Sequence, residues 1–189
     1  MRKDGFDSYI DDYLAETARI AETIDRPAIS GMAASLRELR GRGGRLFVLG
    51  VGGSAANASH AVNDFRKITG IEAYAPTDNV AELTAWTNDE GWECVFANWL
   101  KGSNLSRRDA LLIFSVGGGS EKASMNLVRA MEYAREAGAP VLAVVSRDGG
   151  KARELSDVHI LIPVVSGERI TPHAEGWQAV IWHLLANCI

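Results

Sequence analysis

Short apolar runs alternate with longer amphipathic segments along most of the chain. The runs have the length of β-strands and lie at 45–49, 72–75, 109–114, 141–145 and 158–162. Between them, apolar residues recur at helical spacing. Short apolar strands joined by helices are typical of a parallel sheet covered by helices on both faces. The pattern therefore predicts an α/β fold, a three-layer sandwich with a central five-stranded parallel sheet.

Two amphipathic segments precede the first apolar run. The first spans Phe6 to Ile24, and the second begins near Pro27. Because a minimal sheet does not need two such helices, we expect them to cover its edge or to pack against another subunit. The inward stripe predicted for the first is Ile10, Tyr13, Leu14, Thr17, Ala21 and Ile24. We expect one domain over 1–189, with the N-terminal helices in 1–42 and the α/β core in 43–189.

Three further helices bear on function. One is expected from about Ser54 to Ile68, directly after the first strand. A short one begins at the cap formed by Asp78 and Asn79 and ends near Trp86, before a polar turn at 88–91. The last begins near Pro172 and continues to the C-terminus with an apolar stripe.

Two glycine-rich turns follow predicted strands, at Gly50–Ser54 and Ser115–Ser120. In an open parallel sheet, ligands bind beyond the carboxyl ends of the strands, where the strand order reverses. The second turn offers backbone N–H groups and the hydroxyls of Ser115 and Ser120, which suit a phosphate monoester. It has no lysine of the P-loop type, which argues against a nucleoside triphosphatase. Tight turns without a ligand are the structural alternative.

The first turn nearly matches a dinucleotide-binding fingerprint, with small residues at Gly50, Gly52 and Ala55. That fingerprint also needs an acid at the end of the second strand, to meet a ribose hydroxyl. The second strand ends instead at Ala75 and Pro76. We therefore expect no nucleotide cofactor.

His60 and Asp64 lie one helical turn apart on one face of a predicted helix. They could bind a metal, act as an acid/base pair, or simply form a surface hydrogen bond. On the last helix, His183 lies beside an apolar face and Glu175 about two turns upstream. Helix spacing alone does not make a site of these two residues.

Composition excludes some classes of function. The 189 residues are 47% hydrophobic and 23% charged, with a net charge of -4. This is the profile of a soluble globular protein, and it gives no electrostatic reason to expect direct nucleic-acid binding. No apolar run is long enough to cross a bilayer, and the N-terminus lacks an apolar signal core. We therefore expect a cytoplasmic protein with no membrane partner.

Taken together, the motifs resemble the SIS (sugar isomerase) domain family and, within it, the phosphoheptose isomerase group. The resemblance covers nearly the whole chain. It is carried by Gly52, Gly53, Ser54, His60, an acid at 64, Asn88, Asp89, the Ser115–Ser120 turn, the Arg147–Lys151 turn, position 175 and His183.

The resemblance implies a flavodoxin-like strand order and a homotetramer with active sites shared between subunits. It implies isomerisation of sedoheptulose 7-phosphate to a heptose 7-phosphate through a cis-enediol. Asp64 would act as base and His183 as acid/base, and we expect them to come from different protomers. The implied substrate-binding residues are Val51, Gly52, Gly53, Ser54, Asn88, Asp89, Ser115, Val116, Gly117, Ser120 and Glu175. Some members bind zinc, for which the implied ligands here are His60, Asp64, Glu175 and His183.

The chain departs from the family pattern at several of these positions. Asp64 replaces a glutamate and Glu175 a glutamine, while Gly117 replaces a phosphate-loop serine and Val51 an asparagine. The segment before Glu175 is also longer than in the family, so Thr171 is the other candidate for that position.

Two alternatives to a phosphoheptose isomerase follow from the resemblance. A sister group, the replication regulator that associates with the DnaA initiator, shares the run from Ser54 to His60 and the residues 78–80. That group would make this chain a non-catalytic sugar-phosphate-binding protein acting through a partner. It lacks the acid at 64 and the late histidine, so Asp64 and His183 favour an enzyme. The other alternative is an isomerase for a different phosphosugar in a secondary-metabolite or surface-polysaccharide pathway.

Overall fold

The computed structural model of the chain describes residues 5–189. Five strands form one parallel sheet, namely β1 Leu46–Leu49, β2 Ala73–Tyr74, β3 Ala110–Phe114, β4 Val141–Val145 and β5 Val158–Leu161. The α-helices are α1 Gly5–Thr23, α2 Arg26–Gly41, α3 Gly53–Asp64, α4 Val80–Glu90, α5 Val95–Gly102, α6 Met125–Glu136, α7 Gly150–Leu155 and α8 Ile170–Cys188. A π-helix, Phe65–Thr69, continues α3, and a 3₁₀ turn, Pro76–Asp78, precedes α4. The predicted α/β sandwich is confirmed.

The sheet has an apolar layer on each face. Successive strand residues point to opposite faces, so Leu46 and Val48 enter the layer under α2, α3 and α8, whereas Phe47 and Leu49 enter the layer under α5 and α6. Every residue of β1, β3 and β4 is buried. This double burial explains why these strands are continuous apolar runs in the sequence.

The strand order is β2-β1-β3-β4-β5, and all neighbours are parallel. The order is flavodoxin-like, as the resemblance implied, and it reverses between β1 and β3. Leu49 of β1 lies in register with Ile113 of β3. The two glycine-rich turns therefore leave the sheet side by side, at the edge where an open α/β fold binds its ligand.

Helix α4 corrects one sequence-based boundary. It begins as expected, because the Asn79 side chain accepts a hydrogen bond from the backbone N–H of Glu82 at 3.2 Å. However, it continues through Glu90 instead of ending near residue 86. Gly91, with φ of 87°, is the first residue to break the helix. Asn88 and Asp89 thus belong to the last turn of a helix, not to a polar loop.

The apolar stripe expected to turn inward on α1 is also only partly correct. Ile20 is fully buried, but Ile10 is 53% and Leu14 62% exposed. Phe6 at the start of the helix is 84% exposed. Most of the apolar face of α1 therefore points away from its own chain.

Within residues 5–189, no helix is both long and apolar enough to span a membrane.

A polar cluster attaches α1 to the start of α8. Glu16 accepts hydrogen bonds from Arg169 Nε at 2.8 Å and Nη2 at 2.6 Å, and its Oε2 lies 2.8 Å from His173 Nε2. The Tyr13 ring stacks on the His173 ring with centroids 4.4 Å apart. Hydrogen bonds from Arg169 and then His173 lower the pKa of Glu16 from 4.5 to about 2. The carboxylate is therefore a fixed anion that holds the two helices together.

This cluster predicts how stability depends on pH. Because the pKa of Glu16 is depressed on folding, its contribution is present above about pH 4.5 and is lost as pH falls toward 2. The free energy of unfolding in urea should therefore fall more steeply between pH 5 and 2 for the wild-type chain than for E16Q. The control is E22Q, at an exposed position of α1. Parallel curves for the wild type and E16Q would contradict the assignment.

Candidate active site

The first glycine-rich turn connects β1 to α3 by close backbone packing. A Cβ at Gly50 would overlap the carbonyl oxygen of Ser54, and Gly52 has a φ of 64°. Both positions therefore require glycine. In the described part of the chain, no acceptor takes the backbone N–H groups of Val51, Gly52 or Gly53. These donors remain available to a ligand at the start of α3.

The second turn, Ser115–Ser120, is held by the turn that follows β4 and by the first residues of α7. The Lys151 N–H donates to the Gly119 carbonyl at 3.0 Å, and the Ala152 N–H donates to the Gly118 carbonyl at 2.9 Å. A Cβ at Gly118 would overlap the carbonyl of Gly149. The two turns therefore touch backbone to backbone, which fixes the shape of the loop.

A cavity of about 580 Å³ opens against this loop. Its lining consists of Ser115, Gly117, Gly119, Ser120, Ala123, Ser124, Arg147 and Asp148. Three of the four residues expected to bind phosphate, Ser115, Gly117 and Ser120, are among them. The Ser115 hydroxyl accepts from the Gly118 N–H at 3.0 Å. In residues 5–189, the N–H groups of Val116, Gly117 and Gly119 have no protein acceptor, as an anion-binding loop requires.

The residues expected to carry proton transfer form a second group, on α3 and α8. His183 Nδ1 lies 3.0 Å and His60 Nε2 3.8 Å from Asp64 Oδ2. The three ligand atoms all lie within 4.8 Å of one another. Trp182 Nε1 donates to Asp64 Oδ2 at 3.1 Å, and Asn63 Nδ2 donates to Oδ1 at 3.1 Å. The carboxylate is buried, whereas the imidazoles of His60 and His183 are 55% and 49% exposed.

The expectation that Asp64 and His183 come from different protomers is wrong. The two side chains meet within one chain, because α3 and α8 pack side by side and run in the same direction. Near their starts, Gln178 Nε2 donates to Ser54 Oγ at 3.1 Å, and near the end of α3 the Asp64 carboxylate contacts Trp182.

The two groups lie apart within one chain. Ser54 stands in the first turn of α3 and Asp64 is its last residue, so they are separated by about 15 Å along the helix axis. The glycine-rich turns are at the carboxyl edge of the sheet, and the Asp64–His183 pair is not. Val180 and Leu184 share the helix face of His183 and are 46% and 42% exposed. The pair therefore lies on an exposed, partly apolar surface.

Glu175 belongs to the first group and not to the second. Its carboxylate covers Gly53 so closely that a Cβ there would overlap it. Asn57 Nδ2 fixes the helix at this point by donating to the Glu175 carbonyl at 2.9 Å and to Gln178 Oε1 at 2.8 Å. Of the four expected zinc ligands, only three come together in this chain. Thr171, the alternative to Glu175, is exposed in the first turn of α8.

Asn88 and Asp89 are the predicted site residues that the structure does not join to the others. Their exposed side chains hydrogen-bond to each other, with Asn88 Nδ2 2.7 Å from Asp89 Oδ1. In residues 5–189, no hydrogen bond connects them to either glycine-rich turn.

Sequence reasoning missed Asn57, Gln178 and Trp182. Gln178 is fully buried. A glutamine is rarely buried without a hydrogen-bond partner, and the partners of Gln178 come from α3. The one signal available was a glutamine and a tryptophan on the inward face of an otherwise apolar helix. Which group each would meet depended on the packing of α3 against α8.

Known proteins are similar to this chain in sequence and in fold. The SIS domain family matches residues 8–146. The chain is 33% identical over 190 residues to the lincomycin biosynthesis protein LmbN of Streptomyces lincolnensis, covering 94% of this chain and 67% of that protein. It is 30% identical over 151 residues to a phosphoheptose isomerase of Helicobacter pylori, covering 77% of this chain and 74% of that enzyme.

The likeness extends to solved structures. The phosphoheptose isomerase GmhA of Neisseria gonorrhoeae superposes with a TM-score of 0.83 at 27% identity, and the match covers 97% of both chains. These findings favour an isomerase over a partner-binding protein without activity. The chain therefore belongs to the SIS domain family, within its phosphoheptose isomerase group of enzymes.

Proposed function

We propose that the protein converts sedoheptulose 7-phosphate to a heptose 7-phosphate through an enediol. The observation that carries this proposal is the contact of the Asp64 carboxylate with the His183 imidazole, 3.0 Å apart. An aldose–ketose isomerisation needs a base for a carbon-bound proton, an acid/base group for the oxygens and an anchor for the phosphate. The pair supplies the first two, and the glycine-rich turns supply the third.

The phosphate is bound by the loop after β3. Its free backbone N–H groups and its serine hydroxyls are donors that suit a dianion. The neighbouring turn after β1 presents further N–H groups, from Val51 to Gly53, to the sugar hydroxyls. Because β1 and β3 are adjacent, one extended phosphosugar can reach both turns.

Proton transfer is assigned to Asp64 and His183. The Asp64 carboxylate removes a proton from C1 of the ketose and returns it to C2 of the enediol. His183 moves a proton between the oxygens on C1 and C2, so that the enediol collapses to the aldehyde. Trp182 and Asn63 each donate to the Asp64 carboxylate, which fixes its orientation. Such fixing is important because aspartate is one methylene shorter than the glutamate of the related isomerases.

His60, Asp64 and His183 also fit a zinc ion. Two imidazole nitrogens and one carboxylate oxygen are ligands that zinc prefers, and here they lie within 4.8 Å of one another. A bound zinc ion would polarise the substrate carbonyl. Glu175 lies against Gly53 instead, so its expected place in the ligand set needs a direct test.

We further propose that the active sites are shared in a homotetramer. The pair and the phosphate loop lie too far apart in one chain to act on the same sugar. The pair of one subunit would therefore face the turns of its neighbour. The exposed apolar residues beside His183, and those along α1, give such a contact a hydrophobic surface.

A different phosphosugar, for a natural-product pathway, is a second candidate substrate. It is favoured by the similarity to LmbN, which extends over 94% of this chain. It is also favoured by Val51 and Gly117, which replace polar residues of the family pattern at the two turns. Assaying ketose phosphates of several chain lengths side by side would decide between the two substrates.

The catalytic assignment predicts the effect of neutralising the pair. We expect D64N and H183Q each to lower kcat by roughly 100- to 10,000-fold, because each removes one acid/base group. The reaction is the isomerisation of sedoheptulose 7-phosphate in deuterated water, and the measured quantity is the deuterium incorporated into the sugar. K67A, at an exposed position of the π-helix that continues α3, serves as the control. Unchanged exchange in D64N would exclude Asp64 as the base.

Site sharing predicts complementation between inactive variants. D64N lacks the base, and G117D places a carboxylate in the phosphate loop without backbone strain. Co-expressed, these two should regain activity in about a quarter of the sites, by random assortment of subunits. Co-expressed D64N and H183Q should stay inactive, because both damage the same pair. No recovery in the first mixture would mean that each chain builds its own site.

Zinc binding gives a readout independent of turnover. The H60A variant should retain less zinc per chain after dialysis, and added zinc should raise its thermal midpoint less than that of the wild type. E175Q should bind zinc like the wild type, because Glu175 lies outside the group of three. If E175Q loses zinc as H60A does, Glu175 is a ligand after all.

A further inference from the structure

Arg147 has a backbone conformation that is unusual for a residue with a side chain. It lies two residues after β4, and its φ of 56° is in the left-handed region that glycine favours. Ser124, before α6, has a φ of 54° and forms no side-chain capping bond. Both residues line the cavity at the phosphate loop. Two disfavoured conformations at one cavity suggest a functional reason for keeping them.

The Arg147 side chain reaches the phosphate loop and makes no polar contact there. Its Cδ lies 4.0 Å from the position that a Cβ at Gly117 would occupy. Within residues 5–189, no hydrogen bond or ion pair engages its guanidinium. All five N–H donors of the group are therefore free. By contrast, Arg45, directly before β1, donates to Asp109, Ser103 and Asn104.

Among the residues that the structure describes, Arg147 is the one basic residue in the lining of this cavity. The lining contains one carboxylate, that of Asp148, and its Oδ1 accepts from the Gly150 N–H at 3.1 Å. The other polar side chains of the lining are the serines 115, 120 and 124. An anion placed against the free N–H groups of the loop would thus meet Arg147 from the opposite turn.

We propose that Arg147 anchors the phosphate of the substrate by clamping two of its oxygens with the guanidinium. The inference rests on the proposed function, because it takes the ligand to be a phosphosugar. A planar guanidinium suits two oxygens of one phosphate, and the backbone N–H groups bind the rest. Gly117 leaves room beside the arginine for this arrangement. Arg147 therefore selects a phosphate monoester over the unphosphorylated sugar.

The role assigned to Arg147 is in binding and not in proton transfer. It approaches the end of the substrate that carries the phosphate, away from C1 and C2. Removing it should therefore raise KM far more than it lowers kcat. If Arg147 had only a structural role, R147G should keep the KM of the wild type. Glycine accepts the left-handed φ and should therefore preserve the fold.

The test compares R147G, R147K and R107A in the 189-residue chain. R107A removes the same charge from an exposed position before β3, at the other end of that strand from the cavity. Inorganic phosphate is titrated into each by calorimetry, and KM and kcat are measured with sedoheptulose 7-phosphate. We expect R147G to bind phosphate roughly 10- to 100-fold more weakly. R147K should lose less affinity, R107A none, and the thermal midpoint of R147G should equal or exceed that of the wild type.

Each result decides the inference. Phosphate affinity in R147G within about twofold of the wild type would overturn it, as would a wild-type chain that binds no phosphate. If R147G does not fold, R147Q against R147K answers the same question, because both keep a long side chain and differ in charge. A wild type that binds phosphate through Arg147 but does not isomerise sedoheptulose 7-phosphate would refute the proposed function and leave Arg147 as a phosphate-binding residue.

Discussion

The parallel contact between α3 and α8 is the constraint on which the candidate site depends. Gln178 is buried in this contact, where its amide donates to Ser54 Oγ and accepts from Asn57 Nδ2. A buried amide that loses its partners costs about 1–3 kcal/mol. Sliding either helix by one turn would break these bonds, so the register of the two helices is fixed. That register places His183 and Trp182 against Asp64.

The phosphate loop depends on a different kind of contact. Gly118 and Gly150 let the turns after β3 and β4 meet through their backbones, and no side chain fits between them. The loop is thereby held rigid while several of its N–H groups stay unpaired. A site of this kind is organised before the anion arrives, so little ordering is needed on binding. In the proposed function, the loop would set where the phosphate lies, and the distant pair would act on the sugar.

The separation of these two groups gives the surface helices a functional meaning. The Glu16 cluster fixes α1 to the start of α8, while the apolar residues of α1 face outward. One face of this helix is held by ionic contacts, and the other face is apolar and exposed. Such a helix is suited to packing against a second chain. The same holds for α8, where Val180 and Leu184 accompany His183 on an exposed face. Assembly and catalysis would then depend on the same helix.

The sequence by itself determined the strands, the two glycine-rich turns and the family, because these depend on local periodicity and on backbone positions that only glycine can fill. It also identified Asp64 and His183 through their resemblance to known motifs. Tertiary structure alone decided that the two side chains meet within one chain, that Glu175 lies at Gly53, and that Arg147 lines the cavity at the Ser115–Ser120 turn. Each of these depends on the register of packed elements far apart in the chain, and spacing along one helix does not encode that register.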